Sequence, residues 1–236
     1  NLKIISKFGV GLNNIDLEAC KKRNVSIGWT GGVNKLSVAE MAIGFMLMLA
    51  RNLFIRSNEL KNGTWNKSGG FQLSGKTVGI IGLGHSGKEL VKLLKPFGCK
   101  ILVNDIIDQN QYYKENNLKE TSKDILFKTS DIITIHTPHN ETTNNMINIE
   151  ILKTMKKSAY IINTARGGII NEKDLKYALQ NNTIAGAAID AYSEEPPVDI
   201  EFLKLPNLIC TPHIGGNAKE AVKSMGMSAI QHLKNY

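Results

Sequence analysis

Three short stretches of this chain carry side chains that could act together on a small anion: Arg166 in "INTARGG", the carboxylates Glu194 and Glu195 in "SEEPP", and His213 in "CTPHIGG". An arginine offers a planar fork that can hold a carboxylate and a neighbouring carbonyl oxygen in one plane. A histidine can give or take a proton near neutral pH. A carboxylate bonded to its second ring nitrogen would fix the orientation of the ring. These groups can work as a unit only if the fold brings them to one place.

Each of them follows a short apolar run: "AYIIN" at 159–163, "IAGAAID" at 184–190 and "LIC" at 208–210. Three similar runs precede these, "KTVGII" at 76–81, "KILVN" at 100–104 and "IITIH" at 132–136, with helix-like segments such as "KELVKLLKPF" and "NEKDLKYALQNN" between them. Apolar strands alternating with helices predict an α/β fold, a doubly wound parallel sheet covered on both faces with right-handed crossovers. In such a sheet the carboxyl ends of the strands line one crevice, and Arg166, the acidic pair and His213 all fall there. Before Lys76, "LKIIS" and "VSIG" read as strands flanking a helix over about 15–23, followed by a long helix from Ser37 to about Asn62. Ala218 to Tyr236 reads as a final helix.

The stretch "VGIIGLGHSGKEL" places Gly82, Gly84 and Gly87 in the spacing G-x-G-x-x-G between a strand and a helix. That context supplies a tight turn, a close backbone approach and a helix N-terminus, which together suit the pyrophosphate of a dinucleotide. Asp105 ends the next strand, where a carboxylate can accept both ribose hydroxyls of NAD and would repel the 2′-phosphate of NADP. The cofactor expected is therefore NAD.

The formal net charge of +8 arises from scattered lysines without a basic block or an aromatic-interleaved stripe, which predicts a solvated surface and no nucleic-acid partner. Cys20, Cys99 and Cys210 form no CxxC, so neither a metal site nor a disulfide framework is expected, and free thiols fit a reducing cytoplasm. The most apolar stretch, "MAIGFMLMLA" at 41–50, is far shorter than the ~20 residues that span a bilayer, so no membrane segment is expected. It reads as a buried helix or a subunit contact.

Taken in order, "FGVGLNNID", "SVAEMAIGFMLMLARN", "GLGHSG", "HTP", "NTARGG", "AAIDAYSEEPP" and "LPNLICTPHIGG" resemble the D-isomer-specific 2-hydroxyacid dehydrogenase family, most of all its phosphoglycerate dehydrogenase branch, from Leu2 to about Gln231. The resemblance implies NAD-linked interconversion of a D-2-hydroxy acid and its 2-keto acid, with 3-phosphoglycerate the first substrate to try. It selects Glu195 over Glu194, giving the triad Arg166, Glu195 and His213. It implies cofactor contacts from Gly82, Gly84, His85, Ser86, Gly87 and Asp105, from His136, Thr137 and Pro138, from Thr164 and Ala165, and from Asp190, Gly215 and Gly216. Asp190 would meet the nicotinamide carboxamide, and His136 with Thr137 would border the adenine. The amides of Val10 and Gly11 would receive the substrate carboxylate, beside Lys7, where relatives often carry arginine. His139 and His232 match no such position and read as surface residues.

Two departures stand out: Trp29-Thr30-Gly31-Gly32 replaces the commoner Asn-Thr-Pro-Gly, and His85-Ser86 lacks an arginine, leaving a pyrophosphate to backbone N–H groups. The resemblance further implies an NAD domain over 37–217. Residues 1–36 and 218–236 would form part of a smaller, flavodoxin-like substrate lobe that begins upstream of Asn1. It also implies a homodimer built on the helix after Ser37. The competing reading is an NAD(H)-sensing binding protein, since corepressors of this fold keep a similar triad.

Overall fold

The computed structural model describes residues 2–236. In chain order, β1 (Ile4–Ser6), α1 (Leu17–Lys22) and β2 (Ser26–Gly28) come first, then α2 (Lys35–Ala50) and α3 (Leu53–Lys61). The larger part alternates β3 (Thr77–Ile81), α4 (His85–Leu94), β4 (Lys100–Asn104), α5 (Asn110–Asn116), β5 (Lys119–Glu120) and α6 (Lys123–Thr129). It continues through β6 (Ile132–Ile135), α7 (Ile149–Thr154), β7 (Tyr160–Asn163), α8 (Glu172–Gln180), β8 (Gly186–Ile189), α9 (Ile200–Leu203) and β9 (Leu208–Cys210), after which comes α10 (Lys219–Lys234).

Strands β3 to β9 form one parallel sheet in the order β5-β4-β3-β6-β7-β8-β9. The winding reverses between β3 and β6, and a doubly wound sheet opens its crevice at that switch point, beyond the carboxyl ends. Alternation along the strands divides the core in two. Val78, Ile80, Ile162 and Ala188 face α2 and α4, where Ala42, Met46, Leu90 and Leu94 are buried. Ile81, Ile133, Ile135 and Ile161 face the other way, onto Leu126 and Phe127 of α6, Leu152 of α7 and Leu175 of α8. Burial on both faces explains why these strands are apolar at nearly every position.

β1 and β2 pair in parallel as a separate two-stranded sheet. Helix α10 packs on both of these strands, and the Ser6 hydroxyl donates to the Ala229 carbonyl at 2.6 Å. The long helix expected from Ser37 to about Asn62 is instead two helices bent by 60°. Asn52 adopts a left-handed φ of 54°, and the Ala50 carbonyl turns outward to accept from the Phe71 N–H at 2.8 Å. No single helix among the described residues is long and apolar enough to cross a membrane.

Candidate active site

The loop after β3 turns at Gly82, whose φ of 90° belongs to the left-handed half of backbone space, and leads into α4 with Gly84 as its N-cap. No side chain caps this helix, and a Cβ added at Gly84 would meet nothing, so the space beside the helix N-terminus is open. Asp105, at the end of β4, accepts from the Leu83 N–H and, at 2.9 Å, from the Ile107 N–H, which holds its carboxylate beside the glycine turn. Around the same crevice, His136 Nδ1, Thr137 Oγ1 and Thr164 Oγ1 are shut off from solvent without a hydrogen-bond partner. A buried polar atom left unpaired is costly, and three of them beside an open helix N-terminus fit a polar cofactor lying across β3, β6 and β7. Pro138 and Ala165 flank these positions in the loops after β6 and β7.

Desolvation holds the His136 imidazole down at about 4: although the residue as a whole is half-buried, its ring Nδ1 is enclosed, and its Nε2 lies 2.9 Å from the Thr134 hydroxyl. The unfolded chain takes up a proton near the usual 6.5, so acidification between about 6.5 and about 4 favours unfolding, by up to about 3 kcal/mol at the lower end. His136→Asn is expected to lack this part of the acid sensitivity. Denaturant titrations at pH 7 and pH 4 should show the wild-type protein losing more stability than the variant; equal losses would contradict it.

Beside the cofactor crevice lies a cleft of about 650 Å³ whose walls include Lys7, Val10, Gly11, Arg166, Glu195 and His213. Arg166 leaves β7 in a turn pinned by Asn163, whose amide donates to the Arg166 carbonyl at 2.8 Å and accepts from the Ala165 N–H at 3.0 Å. Its guanidinium donates to the Ala165 carbonyl at 2.6 Å and lies against Gly11, where an added Cβ would sit 2.4 Å from Nη2. The turn passes so close to the next strand's loop that a Cβ on Gly167 would fall 1.8 Å from the Tyr192 carbonyl oxygen. Arginine followed by glycine at this strand mouth is thus a packing requirement as well as a chemical one.

His213 and Glu195 meet through Nδ1, at 2.7 and 2.9 Å from the two carboxylate oxygens, both side chains being partly exposed to the cleft. Glu195 is held by the Tyr192 N–H at 3.1 Å, and the neighbouring Ser193 N–H donates to Glu172 in the first turn of α8. His213 adopts a φ of 54°, a conformation that its turn imposes.

Asp190 anchors that turn: its carboxylate accepts from the Thr211 hydroxyl at 2.6 Å and from the Ile214 and Gly215 N–H groups at 2.8 and 2.7 Å. It is fully enclosed and braces the turn that carries His213, and it is also the carboxylate expected to meet a nicotinamide carboxamide. Gly215 is likewise buried, its carbonyl accepting from Ser37, and Gly216 lies against Asn34. His139, expected on the surface, is exposed, and it also lines this cleft next to Gly168, with Asn144 3.1 Å from its Nε2. Asn13, Asn14 and Tyr192 also line it, and none of the three was expected there. Asn13 and Asn14 follow Gly11 by two and three residues and Tyr192 precedes Glu195 by three, so the signal that could have found them is nearness in sequence to those expected residues.

Residues 43–215 match the family model described as D-isomer specific 2-hydroxyacid dehydrogenase, NAD binding domain. The D-3-phosphoglycerate dehydrogenase of Methanocaldococcus jannaschii is 40% identical over 99% of this chain, which spans 45% of that relative's length. The hydroxypyruvate reductase of Thermotoga maritima is 37% identical, with 99% of this chain and 77% of the relative covered. Among solved structures, the NAD-dependent formate dehydrogenase of Staphylococcus aureus in complex with NAD superposes with a TM-score of 0.90 at 34% identity, over 100% of this chain and 72% of the other. The crevice at the switch point, the Arg166 turn and the Glu195–His213 pair therefore sit in a chain that belongs to the D-isomer specific 2-hydroxyacid dehydrogenase family and carries its NAD-binding domain.

Proposed function

We propose that this chain interconverts a D-2-hydroxy acid and its 2-keto acid, with Arg166, Glu195 and His213 as its catalytic residues. The observation that carries the reading is the two-point contact of His213 Nδ1 with Glu195, at 2.7 and 2.9 Å, in the cleft that Arg166 also lines. Bound NADH supplies the hydride. The first-turn amides of α4 would hold its pyrophosphate, Asp105 its adenosine ribose, and His136, Thr137 and Thr164 the remaining edge of the crevice.

Arg166 holds the keto acid by its carboxylate and draws electron density from the carbonyl, which makes the carbon a better hydride acceptor. Glu195 occupies Nδ1, so the proton that moves is carried on His213 Nε2. In reduction that atom protonates the oxygen as it gains charge, and in oxidation it removes the hydroxyl proton.

Lys7 and Arg166 are the fixed cations lining the cleft, against Glu195 as its fixed carboxylate. That balance favours a substrate with more than one negative charge, and 3-phosphoglycerate is the first candidate. Residues 37–217 would form the NAD domain, and 1–36 with 218–236 part of the substrate lobe. A second copy would cover the apolar side chains exposed around α2 and α3, among them Leu36, Leu53, Phe54 and Leu60. The test is NADH oxidation by the full-length protein across a panel of 2-keto acids, including glyoxylate, pyruvate, hydroxypyruvate and 3-phosphohydroxypyruvate. Turnover fastest with the phosphorylated acid is expected. NADH binding without turnover of any member would point instead to a sensing role.

A further inference from the structure

We infer that Trp29 is a positioning residue for the substrate: its indole N–H fixes the peptide plane that presents the Gly11 amide to the substrate carboxylate. Trp29 lies just after β2, outside the cleft wall, and its Nε1 donates to the Val10 carbonyl at 2.8 Å. The Val10 carbonyl and the Gly11 N–H belong to one trans peptide and point in opposite directions. Anchoring the carbonyl on the indole therefore turns the Gly11 N–H away from Trp29. Gly11 is also the residue pressed against the Arg166 guanidinium. Among the described residues, no hydrogen bond occupies the Val10 or Gly11 amide.

The indole is itself held. Its ring edge lies over Gly31, where an added Cβ would meet Trp29 Cη2 at 3.0 Å and His85 Nε2 at 3.3 Å. Trp29 thus links the glycine turn at 9–11 to the segment entering α2, which in turn rests on His85 at the start of α4. An asparagine or another short side chain at this position would not span the same distance to Val10.

This inference rests on the reading of the turn at Val10 and Gly11 as the carboxylate site. The experiment uses the full-length protein and oxamate, an unreactive 2-keto acid analogue, as the probe. Trp29→Phe keeps an aromatic ring and removes the donor. It is expected to weaken oxamate binding in the presence of NADH by ~10-fold and to raise KM for a 2-keto acid by a similar factor. Its kcat should stay within ~3-fold and its NADH affinity should be unchanged. Trp29 is 40% exposed, so little loss of folding stability should accompany this. A second protein, with benzothienylalanine in place of Trp29 in a Trp65→Phe background, keeps the indole shape without its N–H and should show the same loss of oxamate affinity. Unchanged oxamate affinity in either variant overturns the role of Trp29 while leaving the functional reading intact. A wild-type protein that binds NADH, binds no oxamate and reduces no keto acid overturns both.

Discussion

Arg166→Lys is expected to lower kcat/KM for a 2-keto acid by ~10²-fold or more, with NADH affinity unchanged. The charge survives in this variant, so the loss measures geometry. In the wild-type protein the guanidinium uses one nitrogen on the Ala165 carbonyl, and its other terminal nitrogen lies against Gly11. The planar group is thereby held between two backbone segments at the wall of the cleft. A lysine ammonium is a point donor on a flexible stem. It could satisfy the Ala165 carbonyl or the substrate, but it could not hold carboxylate and carbonyl oxygen in one plane. Steady-state kinetics with an NADH titration as control separate the two effects. Near-wild-type turnover would show that Arg166 does not grip the substrate.

Gly167→Ala is expected to cost a further catalytic group without changing one. A Cβ at this position would lie 1.8 Å from the Tyr192 oxygen, 1.9 Å from its carbonyl carbon and 2.4 Å from the Ser193 nitrogen. All three are backbone atoms, so no side-chain rotation relieves the overlap. Either the Arg166 turn or the segment leading to Glu195 must move by about an ångström. A displacement of that size at a reacting centre costs about 10²-fold, and overpacking of this kind costs about 1–3 kcal/mol of stability. The expected result is a kcat/KM reduced by ~10²-fold and a Tm several degrees lower, with NADH affinity falling far less than kcat/KM, because the glycine loop follows β3, two strands away, and only Thr164 and Ala165 of the cofactor edge share the turn of Gly167. Wild-type kinetics would mean that the close approach is not needed to align the site.

The fold was legible wherever burial made a strand apolar along its whole length. β4 and β9 fall on the residues expected from pattern alone, and β3, β6, β7 and β8 lie within theirs. β5 escaped because Lys119 and Glu120 are exposed at the sheet edge, where no apolar signal is required. The break between α2 and α3 escaped because apolar residues resume at Leu53 directly after Arg51 and Asn52, and the Ala50 carbonyl is taken up by the backbone N–H of Phe71, nineteen positions after Asn52.

Within the site, the strand-end rule brought Arg166, the acidic pair Glu194–Glu195 and His213 together from sequence, since each follows its own parallel strand, and the family resemblance selected Glu195. The position of Asp190 at a strand end was equally visible, but its commitment to the turn of His213 depends on N–H groups from 214 and 215 folding back over it. His139 and Trp29 illustrate the same limit. Each reaches the cleft or its supporting turn across a loop, and no periodicity records such a contact.

The most direct test of the proposed chemistry is NADH oxidation driven by a 2-keto acid, measured for the full-length wild-type protein and for His213→Asn. Asparagine is the suitable replacement because position 213 has a left-handed φ of 54°, which asparagine adopts readily. With NADH saturating, the wild-type protein should form the D-hydroxy acid. The variant should be slower by ~10²–10⁴-fold in both directions, with NADH and oxamate affinities little changed. Turnover undiminished in His213→Asn would contradict the assignment of the proton to His213, and with it the catalytic role given to the Glu195–His213 pair.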